Sequence, residues 1–149
     1  MRVDHAIAQW RRERGHPAPT KPRWFQLFWV RLGPVPIPLP HPGQLHWHDL
    51  HHMVLGYEAD LTGEMEISAF ELRTVPRTLM GWALCVAGVA LGLVCAPRRV
   101  IAAWRRGAGA RNLYGASLRL DDVMAWSVDE LAAWMRVTPS VRGVTPPRG

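Results

Sequence analysis

Apolar and polar residues are interleaved along residues 3–14 (VDHAIAQWRRER) in a way that permits a short helix. Gly15 and the prolines that follow it predict where this helix ends. Residues 22–32 (PRWFQLFWVRL) crowd Trp and Phe between basic residues, and they predict a second helix. That helix either packs in the core or anchors the chain at a membrane interface, with its Trp and Arg side chains at headgroup level.

Between residues 33 and 43 the helical pattern stops, because proline occupies every second position. Proline lacks a backbone N–H and fixes its own φ angle, so neither a helix nor a central strand tolerates this spacing. The sequence therefore predicts an extended, polyproline-like connector over residues 33–43.

Helical character returns in two adjacent segments joined by a short loop. The first, QLHWHDLHHMVLGY, begins at residue 44 and is predicted to end at Gly56, because glycine suits the end of a helix. The second, LTGEMEISAFEL, follows a loop at residues 57–60 and is stopped by Thr74 and Pro76. We expect these helices to form an antiparallel hairpin over residues 44–78.

The longest apolar stretch is residues 79–96 (LMGWALCVAGVALGLVCA), which contain no charged side chain. This length is at the lower edge for a membrane span, so the stretch is either a single span or a long helix that is buried or dips into a membrane. The spacing of Gly88 and Gly92 permits close contact with another helix. We expect this helix to pack on the hairpin and to form a channel for a lipid tail. The alternative is a plain membrane anchor remote from the hairpin.

The remaining segments also favour helices. Residues 100–114 are expected to be helical and amphipathic, and residues 127–136 predict a helix capped by Ser127 with Glu130 three residues later. The Pro-, Gly- and Arg-rich residues 138–149 are expected to be a disordered tail. The sequence thus predicts an all-α fold with a single helical domain over residues 1–137. In it the helical hairpin packs on the long apolar helix, and the Pro-rich connector precedes both.

Composition and charge narrow the class of protein. The chain has 149 residues, a net charge of +6 and 18 basic residues, of which only Lys21 is a lysine. The arginines are spread along the chain beside apolar, Trp-containing segments, which favours a membrane surface over nucleic acid as a partner. Their excess over lysine is typical of a GC-rich bacterial genome. Cys85 and Cys95 both lie in the apolar stretch, which excludes a Cys-based zinc ribbon and a disulfide scaffold.

The clearest chemical signal is a cluster of histidines, since four of the seven lie within residues 46–52. His48 and His52 are four residues apart, so a helix projects both imidazoles from one face, as in helices that offer two histidines to one metal ion. Asp49 is close enough to ligate or to hold a ligating imidazole. If the chain reverses in the predicted loop, Glu64 falls in the first turn of the returning helix and can face the histidine pair. These donors suit a divalent metal: zinc with an open position is preferred, and iron, cobalt or manganese are alternatives.

The order His48-Asp49-x-x-His52, followed by eleven residues and Glu64, resembles the signature of the ubiquinone (coenzyme Q) biosynthesis protein Coq-four family. The surrounding sequence HDLHHMVLGY and LTGEMEISAFEL is also similar to that family. The resemblance implies an all-helical, membrane-associated protein with a groove for a polyprenylated aromatic ring. It also implies removal of the ring carboxyl group, with hydroxylation of that carbon, and a role in organising other ubiquinone enzymes. Carried over by position, the metal-binding and catalytic residues are His48, Asp49, His52 and Glu64.

Two further glutamates follow Glu64 on the same predicted helix. Glu71 lies two turns further along the helix and is expected to face the same groove. Glu66 points about 200° away from Glu64, so we expect its side chain to be exposed.

The sequence therefore predicts a metal-dependent enzyme, a carbon–carbon lyase that decarboxylates a polyprenylated aromatic acid in quinone biosynthesis. Its expected place is the cytoplasmic face of a bacterial inner membrane. Its expected partners are that lipid substrate, the membrane surface and other quinone-biosynthesis enzymes. One alternative is a non-catalytic lipid-binding scaffold. A second is a membrane di-iron hydroxylase, because His48, His51 and His52 also spell an H-x-x-H-H box. A third is a histidine patch without metal.

Overall fold

Helices make up nearly all of the regular structure in this chain. The structure is a computed structural model that describes residues 1–14, 26–32, 35–41, 45–75, 78–114 and 116–139. In chain order its elements are α1 (Val3–Arg14), β1 (Gln26–Leu32), β2 (Val35–His41), α2 (Leu45–Leu55), α3 (Leu61–Arg73), α4 (Leu79–Cys95), α5 (Pro97–Arg106), α6 (Leu120–Ala125) and α7 (Val128–Met135). Apart from the β1–β2 pair, every element among the described residues is a helix, so the predicted all-α fold is confirmed.

The core lies where α1, α2, α3 and the C-terminal helices meet. Phe70, Leu50 and Leu131 are among the largest side chains that are completely buried there. The two ends of the described chain are tied together, because the Val3 amide donates a hydrogen bond of 2.8 Å to the Trp126 carbonyl. This contact places α1 against α6 and α7 and closes one side of the core.

The segment between residues 22 and 43 departs from the sequence-based prediction. Residues 26–32 form β1 instead of the expected helix, and they pair antiparallel with residues 35–41. That prediction was wrong because crowded aromatic residues suit a strand as well as a helix, and the partner strand is supplied only later in the chain. The extended conformation expected for residues 33–43 holds over 35–41, but these residues are paired and do not form a free connector. Residues 15–25, 33–34 and 42–44 lie outside the described part of the chain.

Prolines are tolerated in β2 because of the register of the hairpin. Pro36, Pro38 and Pro40 stand opposite Arg31, Trp29 and Leu27, at every second pair. Alternate pairs in an antiparallel ladder exchange no backbone hydrogen bonds, so residues without an N–H can occupy all of these pairs.

Helices α2 and α3 form the predicted hairpin. Residues in the loop between them determine where α2 ends and where α3 begins. Helix α2 ends at Leu55, and Gly56 follows with a φ of 68°, in the left-handed region that glycine favours. Asp60 caps α3, because its Oδ1 accepts a hydrogen bond of 2.7 Å from the Gly63 amide. The loop is therefore short, and it brings the first turn of α3 against α2.

Helix α4 packs closely on α3, as the Gly88–Gly92 spacing predicts. A Cβ atom at Gly88 would collide with the Ser68 side chain of α3, and one at Gly92 would lie 3.0 Å from Met65 Cβ. The expected lipid channel is therefore not open at Gly88, since Ser68 occupies that space. Helix α4 has 17 residues. Among the helices that the structure describes, none combines the length and apolarity needed to cross a bilayer.

Of the predicted C-terminal helices, α5 is shorter than expected, whereas the capping box predicted for α7 is confirmed. Helix α5 begins with Pro97 and ends at Arg106, so the expected helix does not continue to residue 114. It stops because Gly107 closes its last turn and Gly109 follows with a φ of 76°. Helix α7 carries the predicted capping box, in which Ser127 and Glu130 exchange side-chain and backbone hydrogen bonds. The predicted disordered tail lies outside the described residues from position 140 onward.

Candidate metal centre

Two imidazoles and one carboxylate converge where α2 faces the start of α3. His48 and His52 are one turn apart on α2, and their Nε2 atoms are separated by 3.2 Å. Glu64 places Oε2 at 3.2 Å from His48 Nε2 and Oε1 at 3.3 Å from His52 Nε2. One ligand atom from each residue lies within 4.8 Å of the other two. The predicted meeting of these three side chains is confirmed.

The spacing of the donor atoms matches that of ligands on a single metal ion. Zinc bonds to imidazole nitrogen and carboxylate oxygen measure about 2.1 Å, so two ligands are about 3.0 Å apart at a right angle and about 3.4 Å apart at the tetrahedral angle. The Nε2–Nε2 separation of 3.2 Å falls between these limits, and so does the distance from each imidazole to its nearer Glu64 oxygen, 3.2 Å for His48 and 3.3 Å for His52. Three protein ligands leave a position open on a tetrahedral ion, as in catalytic zinc sites. These residues could therefore hold a divalent metal.

The loop after α2 determines which ring nitrogen His52 presents. His52 Nδ1 lies 3.2 Å from the carbonyl oxygen of Tyr57. A carbonyl oxygen can only accept a hydrogen bond, so Nδ1 carries a ring proton and Nε2 is the nitrogen that faces Glu64. The turn at Gly56 brings that carbonyl back over the end of α2.

Because His48, His52 and Glu64 lie close together and are largely buried, the pKa of one residue depends strongly on the charge of the others. The side chains of His48 and His52 are 8% and 1% exposed, whereas that of Glu64 is 17% exposed. Burial alone would lower the pKa of His48, but Glu64 and Glu71 raise that pKa well above its usual value. Burial alone would raise the pKa of Glu64, but His48 and His52 hold it far below its ordinary range. A proton on His48 therefore balances the charge of Glu64 until a metal displaces that proton.

Asp49 is held by α1 and does not join the three converging donors. Nε and Nη2 of Arg11 both donate to Asp49 Oδ2, at 2.9 and 2.7 Å. Each of the two side chains is 11% exposed, so this is a largely buried ion pair that ties α1 to α2. Nothing in the sequence pointed to Arg11, which precedes Asp49 by 38 residues. Metal ligation by Asp49 stays a prediction.

Glu71 faces the same groove as Glu64, as expected, and contacts the opposite side of His48. Its Oε1 lies 3.5 Å from His48 Nδ1 and 2.8 Å from His51 Nδ1. His51 Nε2 accepts a hydrogen bond of 3.2 Å from the Leu113 amide. Protein groups thus occupy both ring nitrogens of His51, so this residue is not among the converging donors. The H-x-x-H-H arrangement therefore offers two imidazoles to a metal rather than three.

Glu66 is buried, contrary to the prediction that it would be exposed. Its side chain is 8% exposed and accepts hydrogen bonds of 3.0 and 2.6 Å from Arg99 of α5. The prediction was wrong because α3 is covered by α2 on one side and by α4 and α5 on others. Periodicity within one helix gives the direction of a side chain but not what packs against it.

Comparison with protein-family models, curated proteins and solved structures finds no match for this chain. The metal-binding geometry therefore stands on the residues themselves, and the family resemblance stays an expectation.

Proposed function

We propose that this protein binds one divalent metal ion through His48, His52 and Glu64, and uses it to hold an anionic ligand. The observation that supports the proposal is the convergence of two Nε2 atoms 3.2 Å apart with the Glu64 carboxylate, whose two oxygens lie 3.2 and 3.3 Å from them. Two neutral imidazoles and one carboxylate would leave a doubly charged ion with a net positive charge, which attracts a carboxylate or phenolate oxygen. Zinc is the preferred ion for this donor set, with iron, cobalt or manganese as alternatives.

The substrate class that we propose is a polyprenylated aromatic acid of quinone biosynthesis, and the reaction is loss of its ring carboxyl group. The support is the resemblance of His48-Asp49-x-x-His52 and Glu64 to the Coq-four family signature. The bond between the ring carbon and the carboxyl carbon breaks, CO2 leaves, and the ring carbon takes up a proton. In the coupled form a hydroxyl group takes the place of that proton, which is a two-electron oxidation and consumes O2 together with a two-electron reductant. A bound divalent ion supplies a Lewis acid that stabilises the negative charge developing on the ring.

The residues of the chain divide the remaining tasks in this scheme. His48 and His52 are buried and rigidly held, so they fix the position of the site. Glu64 is the most exposed of the three, at 17%, and supplies the one negative charge among the proposed ligands.

The metal content of purified protein tests the first part of this proposal. We expect about one zinc per wild-type chain by mass spectrometry after dialysis, and little metal in the His52→Ala variant. The matched control is His46→Ala, which removes an imidazole from the same helix but outside the converging donors. Equal, substoichiometric metal in all three proteins would refute the metal site.

The release of CO2 tests the second part. We expect wild-type protein loaded with zinc to release CO2 from a carboxyl-labelled, prenylated hydroxybenzoic acid under anaerobic conditions, and Glu64→Ala to release none. Release that depends on O2 would instead indicate decarboxylation coupled to hydroxylation. No release under either condition, from protein that binds metal, would refute the decarboxylase assignment.

A lipid-binding scaffold is the second candidate, and the uncovered face of α4 favours it. Helix α4 contains no charged residue, yet Leu79, Trp82 and Val94 are 89%, 50% and 82% exposed. Arg98 and Arg105 of the following helix are also exposed. A combination of exposed Trp, aliphatic and Arg side chains is typical of surfaces that bind anionic membranes.

Vesicle binding and complementation separate the scaffold from the enzyme. We expect wild-type protein to sediment with phosphatidylglycerol vesicles, and the Trp82→Glu/Val94→Glu variant to remain in the supernatant. Failure of the wild type to sediment would refute the lipid surface. A scaffold would continue to complement a quinone-deficient strain after His48→Ala, whereas an enzyme would not.

A further inference from the structure

Glu71 is a buried carboxylate in contact with three side chains that can donate hydrogen bonds. Its side chain is 9% exposed, and its Oε1 is shared between His51 Nδ1 at 2.8 Å and His48 Nδ1 at 3.5 Å. Its Oε2 lies 3.9 Å from the Sγ atom of Cys85, a buried thiol on α4. Burying a carboxylate is costly unless donors surround it, and here two of the three donors belong to imidazoles of α2.

The contacts of His51 establish the direction of these hydrogen bonds. The Leu113 amide can only donate, so Nε2 of His51 accepts its hydrogen bond at 3.2 Å. Nε2 is thus the nitrogen without a proton, and Nδ1 carries the ring proton 2.8 Å from Glu71 Oε1. His51 therefore donates from Nδ1 to Glu71 Oε1. This hydrogen bond holds the carboxylate in place beside His48.

His48 needs such a partner because its ring must turn Nε2 towards Glu64 and His52. The equivalent position on His52 is held by the Tyr57 carbonyl, which accepts from Nδ1 at 3.2 Å. On His48 the Glu71 carboxylate lies on that side of the ring, with Oε1 3.5 Å from Nδ1. A carboxylate beside Nδ1 favours the tautomer that leaves Nε2 available to a metal, and it makes that nitrogen a stronger ligand.

We propose that Glu71 is a positioning residue of the metal centre. Held by His51, and through it by the backbone amide of Leu113, it orients His48 so that Nε2 faces the ion. The inference rests on the proposed metal site and extends it to two residues that are not ligands. It also explains why a third histidine of the cluster, His51, is buried without contributing a donor to the metal.

Titration with Co²⁺ tests this role, because the visible absorption of bound Co²⁺ reports ligand geometry as well as occupancy. We expect Glu71→Gln to weaken Co²⁺ binding by about 10- to 100-fold and to shift the absorption bands of the bound ion. The matched control is Glu66→Gln, which removes the charge of another buried glutamate on α3, the partner of Arg99. This control should change stability but leave the Co²⁺ spectrum and affinity at wild-type values.

A second test observes the histidine tautomers in the wild-type protein and therefore requires no variant. Long-range ¹H–¹⁵N spectra of the zinc-loaded protein should show His48 protonated at Nδ1 and bound through Nε2, and His51 neutral and protonated at Nδ1. Metal bound through Nδ1 of His48 would overturn the proposal.

The two proposals fail in different ways. If the wild type binds Co²⁺ and Glu71→Gln matches it in affinity and spectrum, the positioning role is overturned and the metal site stands. If the wild type binds Co²⁺ no better than His52→Ala, the metal site itself is overturned, and the role of Glu71 with it.

Discussion

Removing the Asp49 carboxylate distinguishes two hypotheses about this residue. In one Asp49 is a metal ligand, and in the other it is the structural partner of Arg11. The structure pairs Asp49 with Arg11, and the donors that converge on a common point are His48, His52 and Glu64. We therefore expect Asp49→Ala to reduce the stability of the protein far more than its metal affinity.

The size of the stability loss follows from the burial of the pair. Both side chains are only 11% exposed, and Arg11 makes hydrogen bonds of 2.9 and 2.7 Å to a single carboxylate oxygen. Removing one partner of a buried ion pair costs about 3–5 kcal/mol, because the other charge is left buried and unpaired. The residual exposure lets water reach Arg11, so we expect a loss of about 3 kcal/mol. That corresponds to a fall in Tm of about 6–12 °C for a domain of this size.

Thermal and urea denaturation of the metal-free proteins measure this loss, and zinc competition titrations measure the affinity. The matched control is the double variant Arg11→Met/Asp49→Leu, which replaces both charges with apolar side chains. It should regain most of the lost stability, because neither charge is then left without its partner. Its zinc affinity should stay within about threefold of the wild type, since all three converging donors are retained.

The opposite pattern would refute this reasoning. If Asp49→Ala and the double variant both lose zinc affinity as severely as His52→Ala, while stability hardly changes, Asp49 is a metal ligand. The Arg11 contact would then be secondary.

Two further predictions concern the proton on His48 and the packing of α4. Because neighbouring carboxylates raise the pKa of His48 well above its usual value, the metal-free protein holds a proton there at neutral pH, and zinc must displace it. Zinc affinity should therefore fall as pH decreases, by up to about tenfold per pH unit, and calorimetry in several buffers should detect about one proton released; an affinity independent of pH would contradict this. Gly88→Leu should lower the free energy of unfolding by about 1–3 kcal/mol, because the new side chain collides with Ser68 on α3. Ala90→Leu, on the exposed face of α4, should not, and equal stabilities in urea would argue against the close α3–α4 contact.

The sequence by itself determined the parts of the site that depend on one helix or one turn. The four-residue separation of His48 and His52 places them on one face of α2 whatever surrounds the helix. Gly56 ends that helix and Asp60 starts the next, so the position of Glu64 opposite the histidine pair also follows from local signals. These interactions span only a few residues, and so they can be read directly from the order of residue types.

Only the tertiary structure decided which partners the other charged groups acquire. Arg11 reaches Asp49 across 38 residues, Arg99 reaches Glu66 across 33, and the Leu113 amide reaches His51 across 62. The same holds for residues 26–32, which become a strand because residues 35–41 lie beside them. The periodicity of a helix or strand specifies the direction in which each side chain points, but the neighbour in that direction is supplied by packing of distant segments. For this reason the three converging donors were predictable, whereas the contacts of Asp49, Glu66 and His51 were not.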